Sequence, residues 1–152
     1  MQVFRIAAAR YIRDLSGEGA RLYGGRWNRK GTQALYTAGN RALAAVEYLV
    51  HMDFPRVPKD TAVAVLELPP ACSVDSIEID ALPPDWPAYP GPIELQDIGT
   101  DWLKGGAALA LRVPSVVVRG EFNYVLNPGH PDMARVKVVS VENFLYDPRM
   151  LK

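Results

Sequence analysis

The run TAVAVLELP at residues 61–69 restricts the fold of this chain more than any other segment. It is apolar almost throughout, and a strand without alternation of polar and apolar residues is usually covered on both faces. The sequence therefore predicts a buried strand here, which needs other elements packed around it.

Six other runs favour strands, because β-branched and aromatic residues dominate them or alternate with polar ones. The first, MQVFRIA, alternates in this way. The remaining five are residues 33–38, 73–80, 110–120 with an interruption at Pro114, 123–131 running into a turn, and 135–147.

The run RALAAVEYLVHM at residues 41–52 is the clearest helix. Asn40 is placed to cap its first turn, and Pro55 and Pro58 are expected to end it. A rotation of about 100° per residue puts four apolar side chains on one face. These are Leu43, Val46, Leu49 and Val50.

The rest of the chain predicts one weaker helix and two irregular segments. Residues 93–109 look helical, although Gly99 and a later glycine pair weaken the pattern. The prolines of 82–92 predict a rigid connection, and the aperiodic residues 10–30 predict a long ordered loop or hairpin. We therefore expect one α+β domain over residues 1–152, with strands in the majority and two principal helices.

Composition limits the partners and the compartment. The chain has 17 basic and 17 acidic residues, a formal net charge of zero, so the basic excess of a general nucleic-acid binder is missing. The single cysteine, Cys72, excludes a disulfide framework and favours a reducing compartment. No apolar run approaches the length of a membrane span, and the start lacks the apolar core of a signal peptide. We expect a cytoplasmic protein that binds neither nucleic acid nor membrane.

Arg26 lies in RLYGGRWNRKG, directly after two glycines. Glycines allow close backbone approach, and a guanidinium offers a planar fork of donors for a pyrophosphate or a carboxylate. A surface turn that carries an arginine explains the same residues, so this segment alone leaves both interpretations open.

Three further side chains are candidates for chemistry. Glu47 lies at the edge of the apolar helix face, where a carboxylate is often paired or functional. His51 follows it by four residues, one helical turn, so the two side chains could interact. An ordinary histidine at a helix end explains His51 equally well. Tyr36 in ALYTA either packs or lines a cleft, and Ser115 in RVPSVVV either faces a cleft or bonds to the backbone.

Several common sites are poorly supported. Two histidines and one cysteine, far apart in sequence, give no zinc spacing, so no metal is expected. His130 in NPGHP is expected to lie in a turn. The glycines form neither a dinucleotide-binding nor a P-loop pattern, and G-x-S-x-G is absent from the sequence.

The order of three segments resembles the RES-domain family, the toxins of Xre–RES toxin–antitoxin modules. The arginine, glutamate and serine that name the family match Arg26, Glu47 and Ser115, and Tyr36 matches a tyrosine that members also carry. The similarity covers nearly the whole chain and is strongest over residues 19–49. The segments are GARLYGGRWNRKGTQALYTAGNRALAAVEYL, LRVPSVVV and NYVLNPGHPD.

The resemblance implies an ADP-ribosyltransferase-like fold with a split, strongly curved β-sheet core and flanking helices. It implies NAD⁺ as a substrate, not a cofactor, that is degraded by hydrolysis or phosphorolysis. The alternative is transfer of ADP-ribose from NAD⁺ to a protein. It also implies an Xre-type helix-turn-helix antitoxin that occludes the active site, in a homodimer or higher-order complex.

The resemblance also assigns roles to the matched residues. Glu47 would stabilise the oxocarbenium-like ribose, and Arg26 would hold the pyrophosphate with Arg5 of the first strand assisting it. Tyr36 would stack on the nicotinamide ring. Ser115 would hydrogen-bond the nicotinamide carboxamide or the ribose.

There are three alternatives to NAD⁺ degradation. The first is transfer of ADP-ribose to a protein. Many ADP-ribosyltransferases carry an acidic or amide residue two positions before the glutamate, but this chain has Ala45 there, which favours water or phosphate over a protein as the nucleophile. A non-catalytic module would bind NAD⁺ and leave it unchanged. A ribonuclease toxin is the last alternative, but the chain lacks a convincing cluster of histidine, lysine and arginine.

Overall fold

The computed structural model describes residues 1–52 and 59–151. Pro55 and Pro58, the expected stops of the first long helix, lie outside the described residues. Within the described part the chain forms seven strands and three α-helices. The strands are β1 (Gln2–Ala8), β2 (Leu35–Ala38), β3 (Thr61–Glu67), β4 (Val74–Ser76), β5 (Ala110–Pro114), β6 (Phe122–Leu126) and β7 (Lys137–Phe144). The helices are α1 (Glu18–Tyr23), α2 (Arg41–Val50) and α3 (Ile93–Gly105).

The strands form one sheet that is nearly divided in two. Their order is β4-β5-β6-β2-β1-β3-β7, and only β4 and β5 pair in parallel. The join between β2 and β1 is a single residue pair, Phe4 with Ala38, whereas β1 pairs with β3 along its whole length. The expected split core is therefore confirmed, with one half formed by β4-β5-β6-β2 and the other by β1-β3-β7.

β3 is the buried strand that the run at 61–69 predicts. Ala62, Ala64 and Leu66 pack into the core on one face of the sheet, and Val63 packs on the other face beneath α2. Because both faces are covered, the strand needs no polar alternation.

α2 begins where the sequence predicts, because Asn40 Oδ1 accepts a hydrogen bond from the backbone N–H of Leu43 at 2.8 Å. Its buried face agrees only in part. Leu43 is buried and Leu49 packs against the same cluster, as predicted, but Val50, assigned to the apolar face, is 54% exposed. The assignment of Val50 is wrong because the helix meets the sheet through its first half, at Ala44 and Ala45, whose small side chains carry little periodic signal.

Other boundaries also differ from the predictions, and the strand predicted over 110–120 ends at Pro114. α1 occupies part of the predicted loop at 10–30, and it was missed because none of its residues is buried and no apolar period marks it. Of the strand predicted over 73–80, only Val74–Ser76 is a strand, the short and exposed β4, and Ile79–Ala81 form a 3-10 turn. α3 confirms the second helix but ends at Gly105, because Gly106 takes a left-handed conformation with φ of 66°.

No helix in residues 1–52 and 59–151 has both the length and the apolar character that crossing a bilayer requires.

Candidate active site

Glu47 is a half-buried carboxylate on α2 that is held through one of its two oxygens. Ser115 Oγ and Asn123 Nδ2 each donate to Glu47 Oε1 at 2.7 Å. An oxygen of this kind has two lone pairs, so the two donors occupy it fully. Oε2 makes no hydrogen bond with the described residues and is not among their buried unpaired atoms. It is therefore the carboxylate oxygen that stays available for a hydrogen bond.

Ser115 follows β5 directly and is only 2% exposed. Its Oγ accepts the backbone N–H groups of Val117 and Val118 at 3.1 and 3.0 Å. The hydroxyl proton is thus free to point at Glu47. The sequence left two roles open for Ser115, a hydrogen bond to the backbone or a position in the site. The structure shows both, because Oγ bonds to the backbone and also to Glu47.

Asn123, at the start of β6, was not singled out from the sequence. Its backbone lies between Ala38 of β2 and Val113 of β5 in the sheet, and its side chain is partly buried. The available signal was its position in NYVLNPGHPD, one of the three segments that resemble the RES family.

Tyr36 connects β2 to the loop that carries Arg26. Its hydroxyl donates to Asn28 Oδ1 at 2.7 Å and accepts the backbone N–H of Trp27 at 3.0 Å. Burial raises the pKa of Tyr36 far above its ordinary value, so the hydroxyl stays protonated at neutral pH. A Cβ on Gly25 would lie 2.6 Å from this oxygen, so the turn requires glycine there.

The loop around Arg26 is rigid because a buried asparagine and α3 both hold it. Asn28 is fully buried, and its Nδ2 donates to the carbonyls of Ala20 and Thr32 at 2.8 and 3.0 Å. Gly99 of α3 lies against the backbone of Trp27, where a Cβ would come within 1.8 Å of the Trp27 carbonyl oxygen. The segment is therefore an ordered loop rather than an exposed turn.

Arg26 is cradled by the proline-rich connection. Nη1 donates to the Trp86 carbonyl at 2.9 Å, and Nη2 donates to the Ala88 carbonyl at 3.2 Å. The guanidinium lies on Gly91, where a Cβ would be 2.7 Å from Nη1. Burial lowers the pKa of Arg26, and the nearby charge of Glu47 opposes that shift. Three of its five N–H donors remain for an anion.

A cavity of about 180 Å³ lies next to this site. Ser115, which holds Glu47, and Trp86, which holds Arg26, both line it. It is smaller than the roughly 300 Å³ at which sites for drug-sized ligands begin. Its other lining residues are Ile79, Pro87, Pro114, Arg119, Gly120, Glu121 and Phe122.

The structure brings Arg26, Tyr36, Glu47 and Ser115 together but does not bring Arg5 to them. Arg5 Nη1 donates to the carbonyls of Tyr11 and Ile12 at 3.0 and 2.7 Å. Burial lowers the pKa of Arg5, and the charge of Asp14 opposes this. Contact between Arg5 and a phosphate remains a prediction.

Other arginines near the loop are engaged elsewhere. Arg21 pairs with Glu18 at 2.5 Å, and Arg29 pairs with Asp97. Arg10 lies over the ring of Tyr11, 4.9 Å from its centroid.

The histidines lie outside the site. His51 is exposed at the end of α2 and makes no hydrogen bond to Glu47 in the described structure. His130 lies in a turn, as predicted, and its Nδ1 accepts the backbone N–H of Asp132 at 3.1 Å. No group of three or more potential metal ligands occurs in residues 1–52 and 59–151.

The fold is that of a protein from a toxin–antitoxin complex. The crystal structure of the M. tuberculosis MbcT–MbcA toxin–antitoxin complex matches the chain with a TM-score of 0.63 and 18% identity. The match covers 99% of this chain and 86% of that chain. At this identity the match shows the fold, which is the α+β class expected from the sequence.

The chain belongs to the RES-domain family, whose model matches residues 2–147. The Prs ADP-ribosylating toxin of Sphingobium sp. is 38% identical, over 91% of this chain and 88% of its own length. Toxin Res of Yersinia enterocolitica is 35% identical over 99% of both chains. Toxin Res of Photorhabdus laumondii is 34% identical over 100% of this chain and 98% of its own length. The chain is thus a toxin of the RES type.

Proposed function

We propose that this toxin cleaves the bond between nicotinamide and ribose in NAD⁺, with water or phosphate as the acceptor. The observation that supports this most is the held carboxylate of Glu47, which leaves one oxygen open within electrostatic range of Arg26. NAD⁺ develops positive charge at its ribose and carries a pyrophosphate, so it suits a site with one anion and one cation.

Glu47 stabilises the charge that develops when the bond breaks. As nicotinamide leaves, the electron pair of the C–N bond passes to its ring, and the ribose acquires oxocarbenium character as in glycoside hydrolysis. Oε2 lies near that carbon and accepts a ribose hydroxyl. The oxygen of water then bonds to the carbon and releases a proton to solvent. Nicotinamide leaves as a neutral molecule, so no acid is needed to protonate it.

The other site residues bind and position. Arg26 uses its remaining donors for the pyrophosphate, and the partly exposed ring of Tyr36 stacks on nicotinamide. The Ser115 proton is already directed at Glu47, so we assign Ser115 to holding the carboxylate rather than to the carboxamide. Arg5 is a second phosphate contact in this proposal, provided that substrate draws it from its backbone carbonyls.

Product analysis tests the proposal. The purified toxin is incubated with NAD⁺, with and without inorganic phosphate, and the products are followed by NMR. Nicotinamide with free ADP-ribose indicates hydrolysis, and a phosphorylated ribose product that needs added phosphate indicates phosphorolysis. NAD⁺ that stays intact under every condition, including added cell extract, contradicts the proposal and supports a non-catalytic binding module.

Transfer of ADP-ribose to a protein is the second candidate. The specific support is the 38% identical relative, whose name is Prs ADP-ribosylating toxin. The bond that breaks is the same, but a protein side chain takes the place of water. Label from NAD⁺ that enters a protein band only when cell extract is present would move transfer to first place.

We also propose a cytoplasmic toxin that is neutralised by an Xre-type helix-turn-helix antitoxin covering this cleft, in a homodimeric or higher-order complex. The support is the fold shared with a chain of a toxin–antitoxin complex. Co-expression followed by size-exclusion chromatography tests it, and a co-purifying antitoxin should abolish NAD⁺ turnover. Full turnover by the purified complex would contradict occlusion.

A further inference from the structure

Asn123 has one paired and one unpaired polar atom. Its Nδ2 donates to Glu47 Oε1 at 2.7 Å, while its Oδ1 is buried without a hydrogen-bond partner in the described structure. A buried unpaired acceptor destabilises the fold. An apolar side chain at this position would avoid that loss, so the contribution of Asn123 lies in its bond to Glu47.

The two donors to Glu47 are held by backbone hydrogen bonds of the sheet. Asn123 is paired through its backbone on both sides, within the half of the sheet formed by β4-β5-β6-β2. The backbone N–H of Ser115 donates to the Glu121 carbonyl at 2.9 Å. Glu47 is on α2, whose core cluster contains Ile6 of β1, Val63 of β3 and Ala38 of β2, and so spans both halves of the sheet. The two hydrogen bonds add a direct link from α2 to β5 and β6.

We propose that Asn123 is a positioning residue for the reaction, acting together with Ser115 as a clamp on Glu47. The clamp occupies Oε1 and so presents Oε2 to the ribose. If the Asn123 amide were reversed, Oδ1 would lie against Glu47 Oε1 and two acceptors would face each other. Only the orientation with Nδ2 towards Glu47 makes the hydrogen bond. This role depends on the proposed function for its effect on catalysis, whereas the clamp itself does not.

Kinetics of Asn123→Ala and Asn123→Asp test the catalytic role. Asn123→Ala releases the carboxylate, and misplacement of a reacting group by about 1 Å can lower the rate on the order of 10²-fold. We expect kcat to fall by that order while KM for NAD⁺ changes less than about threefold. Asn123→Asp should lower kcat further than Asn123→Ala does, because its carboxylate would repel that of Glu47. A raised KM with unchanged kcat, or no change in either constant, would overturn the proposal.

A stability cycle tests the clamp without NAD⁺. Urea unfolding is compared for Asn123→Ala, Glu47→Ala and the double variant, with Asn127→Ala as the matched control. Asn127 lies just beyond β6 and donates to the Leu103 carbonyl instead. We expect the two changes at 123 and 47 to be non-additive, and those at 127 and 47 to add. Additivity at 123 and 47 would refute the clamp, whereas inactive wild-type protein with a coupled pair would refute the proposed function alone.

Discussion

At the scale of single residues, the site separates polar groups that are left without a protein partner from groups that are already paired. Glu47 Oε2 and three donors of Arg26 make no hydrogen bond with the described residues, while Ser115, Asn123 and the hydroxyl of Tyr36 are occupied by other protein groups. Removing a group of the second kind should disturb the site indirectly.

Tyr36→Phe is the clearest test of such an indirect effect. The change removes the hydroxyl and leaves the buried Asn28 Oδ1 without its donor, which costs about 1–3 kcal/mol of unfolding free energy. The loop should loosen around Arg26, so KM for NAD⁺ should rise. Urea unfolding and initial rates measure the two effects. Tyr23→Phe, on an exposed side chain, is the control, and equal behaviour of the two variants would contradict the assignment.

The sequence identified some of these residues and missed others for a physical reason. Arg26, Tyr36, Glu47 and Ser115 were candidates from their local sequence, but each allowed a structural explanation, and only the family resemblance favoured the functional one. Asn123 was missed because an asparagine at the start of a strand has no pattern of its own. Its importance appears only when β6 and α2 are brought together.

At the scale of elements, α3 supports the site without contributing a reacting group. It presents Gly99 to the backbone of Trp27, and Thr100 Oγ1 accepts the backbone N–H of Arg29 at 2.9 Å. The glycine that weakened the predicted helix is therefore a point where α3 and the loop approach too closely for a side chain.

Gly99→Ala should push α3 away from the loop. A Cβ within 1.8 Å of the Trp27 carbonyl oxygen cannot be accommodated without backbone movement. Overpacking of this kind typically costs 1–3 kcal/mol and sometimes more, and we expect about 3 kcal/mol here. Gly105→Ala on the same helix has no atom within 4 Å of its Cβ and should leave stability unchanged or slightly higher. Thermal unfolding compares them, and a Gly99→Ala variant as stable as wild type would disprove the close contact.

The elements that were predicted well are those that interact locally. α2 begins at the cap that Asn40 provides and follows the apolar pattern of residues 41–52. β3 forms where residues 61–69 are almost continuously apolar. α1 and the buried face of α2 depend on how distant segments pack, which no local period records.

At the scale of the whole molecule, the division of the sheet places the site. The two halves meet through the single pair of Phe4 and Ala38, and Glu47 is on the helix that follows β2. The C-terminal segment covers that helix, because the buried Tyr146 donates to the Ala45 carbonyl at 2.7 Å.

Alkaline pH should weaken the contact between Tyr146 and α2 and so lower the free energy of unfolding. Burial raises the pKa of Tyr146 from 10.0 to about 12, so the unfolded chain loses its phenol proton at lower pH than the folded one. The stability from this group is fully present below pH 10 and disappears as pH rises towards 12. Urea unfolding below and above pH 10 should show a steeper loss for wild type than for Tyr146→Phe. The same pH dependence of unfolding free energy in both proteins would contradict the raised pKa of Tyr146.

In the proposed reaction the free oxygen of Glu47 stabilises the positive charge that develops on the ribose as the nicotinamide–ribose bond of NAD⁺ breaks. Glu47→Gln tests it most directly, because the amide keeps the shape and retains an acceptor for Ser115 and Asn123 but removes the charge. Nicotinamide release at saturating NAD⁺ should fall about 10³-fold or more, with an unfolding midpoint close to that of wild type. A Glu47→Gln protein that releases nicotinamide at the wild-type rate would contradict the claim.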